Sequence, residues 1–198
     1  MARYRVGIET RDRIVSATRD LLATSGIDGV TLRSITERAG VGAGSFYNLF
    51  ASKDEVVFEV VRASIEAVDP DPDGSGTEDL EALVDAFVAF MTDSAPIARI
   101  YVQLAVGRGL VDPAIAARVT RAHHRRVARF AAAWRRHDPT LDHHEAVRRA
   151  ECMLAALTGL GISALMDQEF DMHAHARDLL PAAGAGEPRD AAGEDRRR

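Results

Sequence analysis

The sequence predicts an all-α fold: three short N-terminal helices, a connecting helix and a larger C-terminal helical body. Three observations carry that expectation. Apolar residues recur at spacings of three and four, no segment alternates apolar and polar residues with β-branched enrichment, and Gly and Pro separate the periodic stretches. No stretch repeats at a solenoid period.

The first helical pattern covers roughly residues 10–25, with Ile14, Ala17, Leu21 and Leu22 on one face and Gly26 as its stop. A second helix is expected over 31–39, with Thr31 as N-cap, Leu32 and Ile35 facing inward and Gly40 ending it. A third, short helix follows at roughly 43–49. Ser52-Lys53-Asp54-Glu55 has the pattern of a capping box, in which the serine oxygen and the glutamate each satisfy an orphan backbone donor. It opens a fourth helix through Val56, Val57, Val60, Val61 and Ile65. Residues 69–76 hold two prolines, two glycines and three aspartates and cannot continue it. Beyond the break, helices are expected at about 77–93, 96–109, 113–136 and 142–167, then a short one at 171–180. Residues 181–198 read as a disordered tail.

Composition bounds the function. The chain has 198 residues, 46% hydrophobic and 28% charged, which is globular rather than disordered. The single cysteine, Cys152, excludes a disulfide framework and a four-thiolate zinc site and fits a reducing cytoplasm. No apolar run reaches about 18 residues and the first residues lack a signal-peptide core, so a cytoplasmic protein with no membrane association is expected. The net charge of -5 is unevenly placed: residues 1–53 carry eight basic and five acidic groups, and the rest carries a net -8. A cationic head on an anionic body suits a nucleic-acid-binding module attached to a body that does not bind it. Arginine outnumbers lysine 24 to 1, which reads as a GC-rich genome.

The second and third helices, joined by Gly40-Val41-Gly42, form a helix-turn-helix candidate. In that motif the first helix braces the second, which enters the major groove of DNA. The turn needs a residue at positive φ, and Gly40 stands there. The same stretch resembles the TetR family of bacterial transcriptional regulators. The resemblance rests on Thr31, Ile35, Ala39-Gly40-Val41, Phe46-Tyr47, Phe50 and Ser52-Lys53-x-Glu55, and covers about residues 10–65. Gly42 departs from the serine common after Ala-Gly-Val, and Thr36 from the alanine common after the isoleucine.

The resemblance implies a homodimeric repressor that occupies double-stranded operator DNA and leaves it when a small molecule enters the helical body. On that basis residues 8–51 form the DNA-binding domain (the motif itself about 32–51), 52–68 the connecting helix, and 77–180 the effector-binding and dimerisation domain. Arg33 has the fork to read guanine, while Thr31, Tyr47 and Lys53 hold phosphates. Gly42, Ala43, Gly44, Ser45 and Asn48 lie on the groove-facing side of the third helix, with Ser45 and Asn48 its only base-bonding side chains. That helix has no Lys or Arg, so Arg3 and Arg5 of the N-terminal arm are expected to assist from the minor groove.

In the body, Phe87, Phe90, Met91, Tyr101, Leu104, Phe130, Trp134 and Met153 either fill a core or line an apolar cavity. If they line a cavity, the effector is apolar or aromatic, with Tyr101, Gln103, Arg108 or Trp134 as polar contacts, and a strongly acidic or metallic effector is not expected. The late helix carries Leu154, Leu157, Gly161, Ile162 and Leu165 among small residues, and TetR-like proteins dimerise through the equivalent helix.

Other chemistries have little support. Gly40-x-Gly42-x-Gly44 follows a helix, whereas a phosphate loop follows a strand. The histidines come as His123-His124, His143-His144 and His173-x-His175, with His137 alone, and lack the i, i+4 spacing zinc favours. Cys152, in an apolar run, reads as a small buried hydrophobe. No catalytic residues, metal site or cofactor are expected. The competing reading is an all-helical interaction adaptor that binds protein and not DNA, which salt-dependent retention on random DNA distinguishes.

Overall fold

The computed structural model describes residues 2–73 and 75–181. Its helices are α1 (Ala2–Ser25), α2 (Leu32–Ala39), α3 (Ala43–Tyr47), α4 (Lys53–Glu66), α5 (Leu80–Asp93), α6 (Ala95–Val102), α7 (Pro113–His137), α8 (His143–Met166) and α9 (Met172–Arg177). A π-helical segment, Gln103–Arg108, continues α6. No strand occurs among the described residues. The expected tail lies, from residue 182 on, outside them.

Most expected elements stand within a few residues of their places. The clearest difference is α1, which begins at Ala2 rather than near Thr10. Nothing in Ala2–Glu9 except Gly7 opposes a helix, so the backbone of Arg3 and Arg5 is helical and not an extended arm. The second difference is the π segment, where one continuous helix was expected. The Gly109 amide donates to the Leu104 carbonyl at 2.8 Å, five residues back, and the wider turn ends the helix.

The N-terminal domain is held by one face from each helix. Ile14, Ala17 and Leu22 of α1, Ile35 and Ala39 of α2, Phe46 of α3 and Phe50 after it are buried together with Val30, Val56, Val57 and Val60. Leu21, Leu32 and Val41 pack half-buried at the edge of this core. Thr18, wholly buried, satisfies its hydroxyl on the Ile14 carbonyl at 2.8 Å. The core runs on without a gap into the body, because α4 packs on α1 on one side and on α6 on the other.

In the body α7 and α8 form the most extensive helix pair, and α5 packs across both, with α9 closing its other side. Close approach of α5 and α8 depends on Gly161: a Cβ there would stand 2.5 Å from Met91 Cε. By length and composition α8 is apolar enough to cross a membrane, against the expectation of no such segment. Polar residues are dispersed along it, which hides its apolarity from a search for an uninterrupted run. It packs against α5, α7 and α9 as a core helix does, yet only 28% of its most apolar 18-residue window is buried in the subunit.

That packing engages three of the residues expected at a subunit interface. Leu154, Leu157 and Gly161 are spent on the subunit's own core, and Ile162 and Leu165 are half-buried. The exposed positions of α8 beyond Glu151, itself exposed, are Cys152, Ala155, Thr158, Gly159 and Met166. Cys152 is exposed, not buried, because it stands on the side of α8 away from α5 and α7. Among the histidines only His123 is half-buried, and the others are exposed.

Candidate nucleic-acid interface

Local chemistry fixes the two helices of the motif. Thr31 Oγ1 accepts from the Ser34 amide at 3.0 Å, and Ser34 Oγ accepts from the Thr31 amide at 2.9 Å, a capping box that starts α2. At the other end Gly40 is left-handed at φ 63°, with its amide on the Glu37 carbonyl and that of Val41 on Thr36. This arrangement satisfies two terminal carbonyls and turns the chain sharply into α3. Gly42 starts α3 without any side-chain cap, as its lack of an oxygen requires. Phe46, fully buried, and Phe50 then anchor α3 from beneath, their rings 5.8 Å apart.

With its underside anchored, α3 presents its other side to solvent. Gly42, Ala43, Gly44, Ser45, Tyr47 and Asn48 are all exposed, and Tyr47 is 58% exposed with its ring edge-on to Phe46. A Cβ at Gly42 or Gly44 would meet nothing within 4 Å, and neither glycine has positive φ, so the protein's own packing asks for neither. The exposed side of α3 thus carries two glycines among Ala43, Ser45, Tyr47 and Asn48, and Thr31 and Arg33 are exposed at the start of α2.

Arg33 is 87% exposed and its Nε bonds Glu37 at 2.7 Å. The Glu37 hydrogen bond raises the guanidinium pKa, so it stays charged. Lys53 also carries a contact within the domain. It is half-buried and its Nζ donates to the Val30 carbonyl at 2.7 Å, tying the start of α4 to the loop before α2. Two of its three donors remain for another partner. The capping box at Ser52 is also altered: Ser52 Oγ accepts from the Glu55 amide at 3.2 Å, but Glu55 Oε2 takes the Ala51 amide at 2.6 Å instead of the cap's own. Several head arginines are matched by acids, Arg11 with Glu59 at 2.7 Å and Arg38 with Asp20 at 3.5 Å, so the surface is less cationic than its residue count implies.

The body's expected effector residues do not form one site. A cleft of about 70 Å³ between α4, α5 and α7 is lined by Phe87, Phe90 and Phe130, with Leu83, Ile65 and Val68 around them. Met91, Leu104 and Met153 are filled core, and Tyr101 touches the edge of Phe90 from α6. Trp134 lies under the Arg149 guanidinium, away from the cleft. Gln103 is exposed, and Arg108 is engaged bidentately by Asp54 at 2.6 and 2.9 Å. Sequence reasoning missed Arg126 and Arg129 on the cleft wall; the place of Arg126 on α7 one turn before Arg129 and Phe130 was the available signal. Among the described residues no group of three or more His, Cys, Asp or Glu gathers at metal-binding distance.

A glycine-turned pair of short helices, the second exposed along one side and both braced by a third, defines a helix-turn-helix domain on an all-helical body. The family model described as "Bacterial regulatory proteins, tetR family" matches residues 14–60. Over 61 residues the chain is 34% identical to the transcriptional repressor KstR of Rhodococcus jostii, covering 31% of this chain and 29% of that protein. The match thus spans less than a third of the curated relative. Two solved regulators share the fold of nearly the whole chain. One from Aquifex aeolicus has a TM-score of 0.63 at 19% identity, over 86% of this chain and 95% of its own. One from Rhodococcus has a TM-score of 0.63 at 23% identity, over 85% and 93%. Over residues 14–60 the chain is thus similar to the TetR family, and beyond them it shares the fold of these solved regulators.

Proposed function

We propose that the protein is a homodimeric, ligand-responsive repressor that occupies an operator through α3 and leaves it when a small apolar or aromatic effector enters the body. The observation that carries this is the exposed face of α3, whose two glycines serve no packing or backbone need of the subunit. The missing side chains at Gly42 and Gly44 let backbone approach the floor of a major groove that admits a helix. Arg33 exchanges its exposed Glu37 partner for a guanine edge at little cost, since exposed ion pairs contribute little. Thr31, Tyr47 and the free donors of Lys53 hold phosphates and set register. Ser45 and Asn48 offer the remaining base-edge contacts.

Repression, rather than activation, follows the matched relatives, which are named as repressors. Dimerisation through the exposed positions of α8 gives its uncovered apolar side a partner and fixes two copies of α3 about 34–36 Å apart or at a longer related spacing. The lever is α4. It starts beside the motif at Lys53, tied to Val30, and its last turn contributes Ile65 to the cleft. An occupant of this cleft would touch Ile65 in the last turn of α4 and Phe130 of α7, and a displacement of α4 would carry to the motif at its other end. By linkage, effector and operator then weaken each other equally.

Selection of bound duplexes from a random pool tests this reading. The expected result is a two-fold-related pair of half-sites, with R33A relaxing the preference at one base position by about 1–3 kcal/mol. Indifference to all duplexes at moderate salt would defeat it.

A further inference from the structure

Resting on the reading that the cleft between α4, α5 and α7 holds the effector, the chemistry of its wall narrows the class of molecule. Most of the lining is apolar: Ile65, Val68, Leu83, Phe87, Phe90 and Phe130. Its charged groups are Asp69, Arg126 and Arg129. Two of them answer each other. Arg129 donates from its two Nη atoms to the Asp69 carboxylate at 2.9 and 2.8 Å and from Nε to Glu78 at 2.7 Å, leaving no free face.

Arg126 is different. It has no carboxylate within ion-pair distance among the described residues, and its only hydrogen bond runs from one Nη to the hydroxyl of Tyr101, whose ring lies 5.2 Å beneath the guanidinium. Its Nε is buried with no acceptor at all. A buried donor of a charged group without a partner is costly, and a ligand that supplies the acceptor removes that cost. Its charge is felt locally: His123, one turn earlier, is held below its ordinary pKa by burial first and by Arg126 second. The guanidinium is thus fixed by Tyr101, uncompensated, and set at the edge of an aromatic cleft.

We propose that the effector is an amphipathic organic acid, its apolar part among Phe87, Phe90 and Phe130 and its carboxylate on Arg126. A planar guanidinium fork whose Nε lacks an acceptor suits a carboxylate better than a neutral carbonyl, because it offers charge and direction together.

Calorimetric titration of the full chain with 4-phenylbutanoate, its neutral amide and the corresponding amine tests the assignment. The carboxylate is expected to bind about tenfold or more tightly than the amide, and the amine not measurably. R126Q should bring carboxylate and amide to one affinity, while R126K should keep part of the difference. Should R126Q fold poorly by thermal unfolding, F87W, which fills the cleft, gives a second readout: carboxylate affinity falls with the charge left in place. Equal binding of carboxylate and amide to the unaltered protein, with R126Q binding both as before, overturns the anionic assignment and leaves an effector cleft standing. Binding of neither probe overturns the assignment together with the effector role of this cleft. Operator binding, measured separately without any ligand, decides the DNA-binding reading on its own.

Discussion

Gly44 occupies the first turn of α3, where alanine would meet no atom within 4 Å and the backbone needs no positive φ. Alanine has the higher helix propensity, so G44A is expected to raise stability by up to about 1 kcal/mol while weakening operator binding. Opposite signs from one methyl group separate a surface shaped for a partner from one shaped for folding. Thermal unfolding and fluorescence anisotropy on a selected duplex read the two effects, and unchanged affinity would remove the close approach of backbone to DNA. Lys53 carries the converse expectation. Its hydrogen bond to Val30 makes it part of the domain's own framework, so K53A should cost about 1 kcal/mol of stability as well as lowering the salt slope of DNA binding by about one. A variant losing only the slope would mean that the Val30 contact contributes nothing in solution.

At the scale of elements, what was legible was local. Thr31, Gly40 and Ser52 announce the helix ends because caps and left-handed turns depend on a few neighbouring residues, and the exposed face of α3 follows from burying Phe46 and Phe50. What was not legible depends on residues far apart in sequence. Nothing near Leu154 or Leu157 says that α5 covers them, and nothing near Arg108 says that it will meet Asp54. The aromatic residues of the body were recognised as a set, but sequence spacing could not divide filled core from cleft wall. The Asp54–Arg108 pair joins the first turn of α4 to the end of the π segment, with side chains 25% and 39% exposed. Because partial exposure screens it, D54N and R108Q should each lower stability by only about 1 kcal/mol. The double variant should lose little more than either alone, since both remove one contact. Additive losses in chemical denaturation would show that the two side chains act separately.

At the scale of the molecule, acid and assembly are the two tests. The loop between α4 and α5 is held by carboxylates: Asp71, kept at about 2 by the Gly76 amide and by Ser75, and Asp69, lowered by Arg129. Their folded-state values lie below those of an unfolded chain, so their stabilisation is complete above about pH 4 and is lost as pH falls toward 2. Circular dichroism across that interval should show stability declining, with D71N flattening the decline; a flat profile for the unaltered chain would show that the loop contributes nothing. Assembly is tested on α8, whose side away from the core exposes Cys152, Ala155, Thr158, Gly159 and Met166, the last by 82%. Small residues let two such helices approach closely, and a side chain added at Gly159 meets nothing within the subunit. G159R should therefore leave helix content and unfolding of the monomer unchanged while halving the mass seen by light scattering. If two linked recognition helices bind one operator as a unit, as proposed, the same variant should lose affinity for a two-half-site duplex far more than for a single half-site. A G159R protein that keeps its full mass would place the subunit contact elsewhere on the body.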